Sequence, residues 1–145
     1  MNAYERDIRA AVYASFRDTG RAPTTDELAA AAGAPQETVI AALRALADEH
    51  ALVLLADGET IRMAHPFSGV ATDFHVTAQD RCWTANCAWD GLAILALFGD
   101  GRLDTHSPAT SAPLRFEVVG GRVTGEGLIH FLVPAAHFWD DIGYT

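Results

Sequence analysis

QETVIAALRALADEHALVLLADGETIRM, residues 36–63, decides how the first half of the chain folds. Its opening repeats apolar residues at helical spacing, so that Val39, Ile40, Leu43, Leu46 and Ala47 share one face. Pro35 stands just ahead, where a helix start has no use for the missing N–H. Then the period changes. Two extended runs flank Asp57-Gly58, a pair that readily supplies the backbone angles of a tight hairpin. Residues upstream complete the pattern. Ile8, Val12 and Phe16, with Ala11 and Ser15, line one stripe of residues 4–18, and Gly20 closes that helix. Thr24 precedes Glu27 by three positions, a capping box that opens TDELAAAAG, and Gly33 ends it. Three helices and a hairpin over residues 1–64 predict a winged helix-turn-helix-like unit.

Charge argues against the usual employment of such a unit. The third helix, the one that would enter a major groove, carries Glu37, Asp48 and Glu49 against Arg44 alone. Residues 1–64 hold six Arg and ten acids, the reverse of a groove reader. A DNA-binding regulator is therefore the least favoured reading, and a helical scaffold packed on the second half is preferred. The whole chain of 145 residues has a net charge of −9, and all ten of its basic residues are Arg. Nucleic acid is a poor partner for it. No apolar run is long enough to cross a membrane. MNAYERDIRA lacks the basic-then-apolar pattern of a signal peptide, so a cytoplasmic location is expected.

From residue 65 the texture becomes that of a small, mostly antiparallel sheet with one buried helix, giving an α+β chain with units at 1–64 and 65–145. HPFSGVATDFHV ends β-like. Residues 86–98 read as a helix, with Asn86 as its cap and Leu92, Ile94, Leu95, Leu97 and Phe98 covering most of its circumference. LRFEVVGGRVTGEG reads as strand, Gly-Gly turn, strand, and GLIHFLVP as a further strand stopped by Pro134.

Cys87 and Asp90 stand three apart at the head of the helix 86–98, on one face. In a first turn, unpaired N–H groups favour a thiolate, whereas the neighbouring carboxylate disfavours it. A thiol that meets a soft electrophile and a carboxyl that accepts and returns a proton make a workable pair. Spacing alone favours the plainer reading of a buried cysteine and a helix-start acid. The other cysteine, Cys82, reads as a packing residue beside Trp83; a chain reversal could also bring it to Cys87. The histidines show no paired spacing on one helix; His137 with Asp140 and Asp141 reads as a solvated loop and His65, before Pro66, as a turn residue. His106 has no spacing argument that brings it to the pair. Trp83, Trp89 and Trp139 read as core or pocket walls.

TANCAWDGLAILALFGDGRLDTHSPATSAPLRFEV, residues 84–118, resembles the core of the organomercurial (alkylmercury) lyases. The family has a Trp-Cys-Ala-x-Asp-x-Leu-like motif, then an x-Pro-x-Thr-Gly-x-Pro-Leu segment and a strand. MAHPFSGVATDFHV resembles the approach to that motif, and the helical N-terminal unit matches the layout, so the resemblance runs from about residue 20 to the end. It implies protonolysis of a carbon–mercury bond to a hydrocarbon and Hg(II). Cys87 would be mercury ligand and proton relay, and Asp90 the acid/base; no cofactor would be required, Hg(II) would be product or bound ion, and small thiols would carry it off. Soft thiolates suit a soft metal.

The chain departs from the family pattern in two ways. The family's second essential cysteine lies downstream, yet none follows residue 87 here. The expectation is a C-terminally truncated core or a one-thiol grip with weaker activation, with Cys82 as the candidate second mercury ligand. Ser107 and Ser111 replace a non-catalytic cysteine and the usual glycine. The alternative to a lyase is an impaired homologue that binds a soft metal or small apolar ligand through Cys87, as a sensor or accessory protein. A strand-like C-terminus would leave an edge that a homodimer could cover.

Overall fold

A computed structural model describes residues 1–143 of the chain. The expectation of a C-terminally truncated core concerns the chain end at Thr145, which lies outside the described residues.

Helix α1 (Ala3–Thr19) starts on an Asn2/Glu5 capping box, buries Ile8, Val12 and Phe16, and ends at Gly20 with φ 77°. A side chain is excluded at Gly20 by space as well as angle: an added Cβ would lie 2.3 Å from the Cys82 carbonyl oxygen. Helix α2 (Thr25–Ala32) opens on the expected Thr24/Glu27 box. The carboxyl of Glu27 is held down at about 2, chiefly by its hydrogen bond from Arg21 and then by the Thr24 backbone N–H. Helix α3 (Gln36–Asp48) buries Val39, Ala42, Leu43 and Leu46. The hairpin follows as β1 (Val53–Leu54) and β2 (Ile61–Ala64), with Asp57 Oδ1 accepting from the N–H groups of Glu59 and Thr60 in the turn. Strand β3 (Phe67–Ser68) adds to β2, so this sheet, ordered β1-β2-β3, takes a strand from beyond position 64.

The second sheet is antiparallel in the order β5-β4-β6-β7-β8, from β4 (His75–Ala78), β5 (Arg81–Thr84), β6 (Gly101–His106), β7 (Pro113–Val119) and β8 (Arg122–Thr124). Helix α4 (Ala88–Phe98) connects β5 to β6 and packs on β4 and β6. The α+β class is as expected from sequence. The strand expected over GLIHFLVP does not form. Gly125 and Gly127 adopt φ 138° and 154°, which turn the chain away after β8, and Leu128 is almost wholly exposed. A short 3-10 helix, Ala135–Asp140, is the last element of the described chain. Among the described residues no helix is long and apolar enough to cross a membrane.

One core runs from Ile8 to Val118 through both halves. Phe16 stacks on Phe67 at 5.0 Å, Trp83 stacks on Phe98 at 4.4 Å, and the Trp83 indole N–H donates to the Phe16 carbonyl at 2.7 Å. Trp83→Ala is expected to cost about 3–5 kcal/mol, the usual range for emptying a large aromatic site. The Phe16 carbonyl keeps its bond from Gly20 N–H, so the loss is the cavity rather than an orphaned acceptor. A urea midpoint that barely moves would refute Trp83 as the tie between helices and sheet.

Candidate active site

The segment between β5 and α4 is fixed from three sides. Ala85 bridges Phe67, donates its N–H to the Phe74 carbonyl at 2.9 Å, and accepts from the Thr72 hydroxyl at 2.6 Å. Cys87 follows in extended conformation and caps the helix itself: its Sγ accepts the Asp90 N–H at 3.5 Å. The sequence placed Asn86 at the cap and Cys87 inside the first turn; the structure moves the cap one residue on. The reason lies in the other demands on Asn86. Its amide donates to Asp90 Oδ2 at 2.8 Å and lies 3.3 Å from the Pro66 and Phe67 carbonyls. All three partners are acceptors, which fixes the amide orientation.

Asp90 is buried, and His65 completes its environment with Nδ1 3.0 Å from Asp90 Oδ1. Each carboxylate oxygen thus meets a nitrogen, which is how a buried charge is made tolerable. His65, read from sequence as a turn residue, stands at the site because β3 carries the chain past the head of α4. The electrostatics separate the members of the group. The Cys87 thiol is pushed up, first by burial and further by the Asp90 charge, against the Asp90 and Trp89 backbone N–H groups that pull it down. His65 is raised by its hydrogen bond to Asp90, with burial opposing and the Asp90 charge adding.

Helix α4 can approach β6 closely because residue 91 has no side chain. A Cβ at Gly91 would lie 2.7 Å from Leu103 Cδ1, and Leu103 is itself fully buried. Gly91→Ala is expected to cost about 1–3 kcal/mol by overpacking and to displace the Cys87–Asp90 turn. Thermal unfolding together with the rate of Cys87 alkylation would check it; wild-type values for both would refute the close fit.

The two thiols are not brought together. Cys82 sits in the middle of β5 opposite Thr77, its Sγ 3.8 Å from the Thr77 hydroxyl, and both cysteines are free. Its neighbour Trp83 is buried on the α4 side, so strand alternation turns Cys82 to the other face, where it is exposed rather than packed. His106 lies across the sheet from the helix as well. With His75, Asp104 and Arg115 it lines an open depression of about 350 Å³, where Asp104 holds Arg102 and Arg115. His137 Nδ1 pairs with Asp140 at 2.9 Å. Among the described residues no group of three or more His, Cys, Asp or Glu side chains could hold a metal ion. Of the tryptophans, Trp83 is core and Trp139 stacks on His50 at 4.1 Å. Trp89 stands half exposed beside Cys87, with Phe131 edge-on at 5.8 Å and Phe138 behind it.

Cys87 thus caps the helix from which Asp90 projects, buried and anchored through both carboxylate oxygens. Residues 67–144, more than half of the chain, match the alkylmercury lyase family, and the chain belongs to that family. Among solved structures it is similar to the mercury-bound form of MerB2, with 26% identity and a TM-score of 0.65 over 86% of this chain. The chain spans 60% of the length of that protein. No curated protein matches it.

Proposed function

We propose that this chain cleaves carbon–mercury bonds by protonolysis, with Cys87 as the mercury ligand and Asp90 as the proton donor. One observation carries the reading: Cys87 caps the helix that presents the buried Asp90, its sulfur 3.5 Å from the Asp90 N–H. Membership of the alkylmercury lyase family supports it, as does the mercury bound to MerB2.

Cys87–SH exchanges with the thiol carried by R–Hg–SR′, giving R–Hg–S(Cys87) and R′SH. The acid form of Asp90 then protonates the carbon. The electron pair of the C–Hg bond becomes the new C–H bond, R–H leaves, and Asp90 remains a carboxylate. Two small thiols take Hg(II) from Cys87, restore its S–H and release one proton. Trp89 and Phe131 offer the organic group an apolar wall. No cofactor enters this scheme, and its partners are an organomercurial and small thiols.

A second reading is favoured by the placement of Cys82 on the opposite face of the sheet from α4. A single thiolate would bind a soft metal or an organomercurial through Cys87 without turning it over. Benzene release from a phenylmercury salt, in excess small thiol, separates the two. Release above the thiol-only background supports the lyase. None above it, with one phenylmercury retained per chain, would refute the lyase and favour the binding role.

A further inference from the structure

In the reaction just proposed, Asp90 ends each cycle as a carboxylate and must regain a proton. Its side chain is only 7% exposed, so water has little access to it. One side chain spans both environments. His65 touches Asp90 Oδ1 through Nδ1, yet 71% of the His65 side chain is exposed. Its other ring nitrogen, Nε2, has no partner among the described residues. The second carboxylate oxygen is taken by the Asn86 amide, which donates a hydrogen bond but does not titrate in the working range. The backbone of His65 is held as well: the Tyr13 hydroxyl donates to its carbonyl at 3.0 Å, and Ala64 and Phe67 on either side pair across β2 and β3.

We infer that His65 is the proton port of this site, taking a proton from solvent at Nε2 and passing one from Nδ1 to Asp90 Oδ1. The inference rests on the reading of Asp90 as the proton donor. The proton is the one shed into solution when small thiols remove Hg(II). Addition at Nε2 makes the imidazolium, the Nδ1–H bond breaks, an O–H bond forms at Oδ1, and exchange with water returns the neutral ring to its Nδ1–H tautomer. Histidine suits the task because its charge changes near neutral pH. The titratable groups around it are few: Asp90 from α4, with Cys87 at the head of that helix, and Tyr13 from α1, whose ring lies under Arg9 at 5.0 Å. The bond to Asp90 raises His65, so more of it is charged at neutral pH.

The test is His65→Gln in the full chain, assayed with phenylmercury and excess small thiol. Gln can still donate to Asp90, so a merely structural role would survive. Turnover is expected to fall roughly tenfold to a hundredfold, as for other groups that act through a reacting residue, while binding of one phenylmercury per chain is kept. Added imidazole restores part of the rate, in this variant and in His65→Ala. Wild-type turnover declines on the alkaline side as His65 loses its proton, and that limb vanishes in His65→Gln. Unchanged rates in both variants would overturn the port and leave the lyase standing. So would a slow variant that imidazole does not rescue and that keeps the alkaline limb. A wild-type chain that releases no benzene removes the lyase reading, and the port with it.

Discussion

Cys87→Ser is expected to end benzene release, by roughly 10³-fold or more, which is about 4 kcal/mol of barrier. The loss is chemical. A serine hydroxyl remains protonated at neutral pH and is a hard donor, so it neither takes mercury from a small thiol nor holds it. The fold should not suffer, because serine is among the best helix-cap residues and the sulfur now accepts the Asp90 N–H at a long 3.5 Å. The variant should therefore unfold at the wild-type urea midpoint or above it, while phenylmercury no longer copurifies with it. Benzene release at the wild-type rate would remove Cys87 from the reaction.

Asp90→Asn is expected to lower turnover by roughly 10²–10⁴, the usual contribution of a positioned acid, and to leave mercury binding in place. It has a second consequence of opposite sign. Removing the carboxylate charge removes one of the causes that raise the Cys87 thiol, while the backbone N–H of residue 90 still donates to Sγ. The thiol should then ionise at lower pH, and iodoacetamide should alkylate Cys87 faster in the variant than in wild type across neutral pH. A variant that turns over less yet alkylates faster separates proton donation from thiol reactivity. Slower alkylation would contradict the electrostatic description of the site.

The N-terminal helices were legible because their signals are local: a capping box at Thr24 and Glu27, glycines at 20 and 33, and a repeat of apolar residues. The hairpin β4–β5 was not, because Gln79 and Asp80 turn it with φ 49° and 60° and no glycine marks the place. Strand β6 was hidden behind GDGR, which reads as a helix stop and also begins the strand, since Gly101 lets it lie against β4. Ser111 shows the converse: it holds φ 56° at the position where the family pattern carries glycine. At the site, Cys87 and Asp90 were visible because they share one short motif. His65 was not, since its place beside Asp90 depends on a bridge between Phe67 and Ala85 that no spacing encodes. The face to which Cys82 points likewise depends on the register of β5, set by the burial of Trp83.

That bridge bears on how this chemistry could be moved. Residues 84–98 look like a portable cassette, a thiol and an acid on one helical turn. Grafted onto another scaffold, they would leave behind the Pro66 and Phe67 carbonyls that orient Asn86 and the imidazole that meets Asp90. The graft would receive a buried carboxyl with half of its support missing. A designer wishing to transplant the reaction must carry two segments of chain, about twenty residues apart, and reproduce the crossing at which they meet.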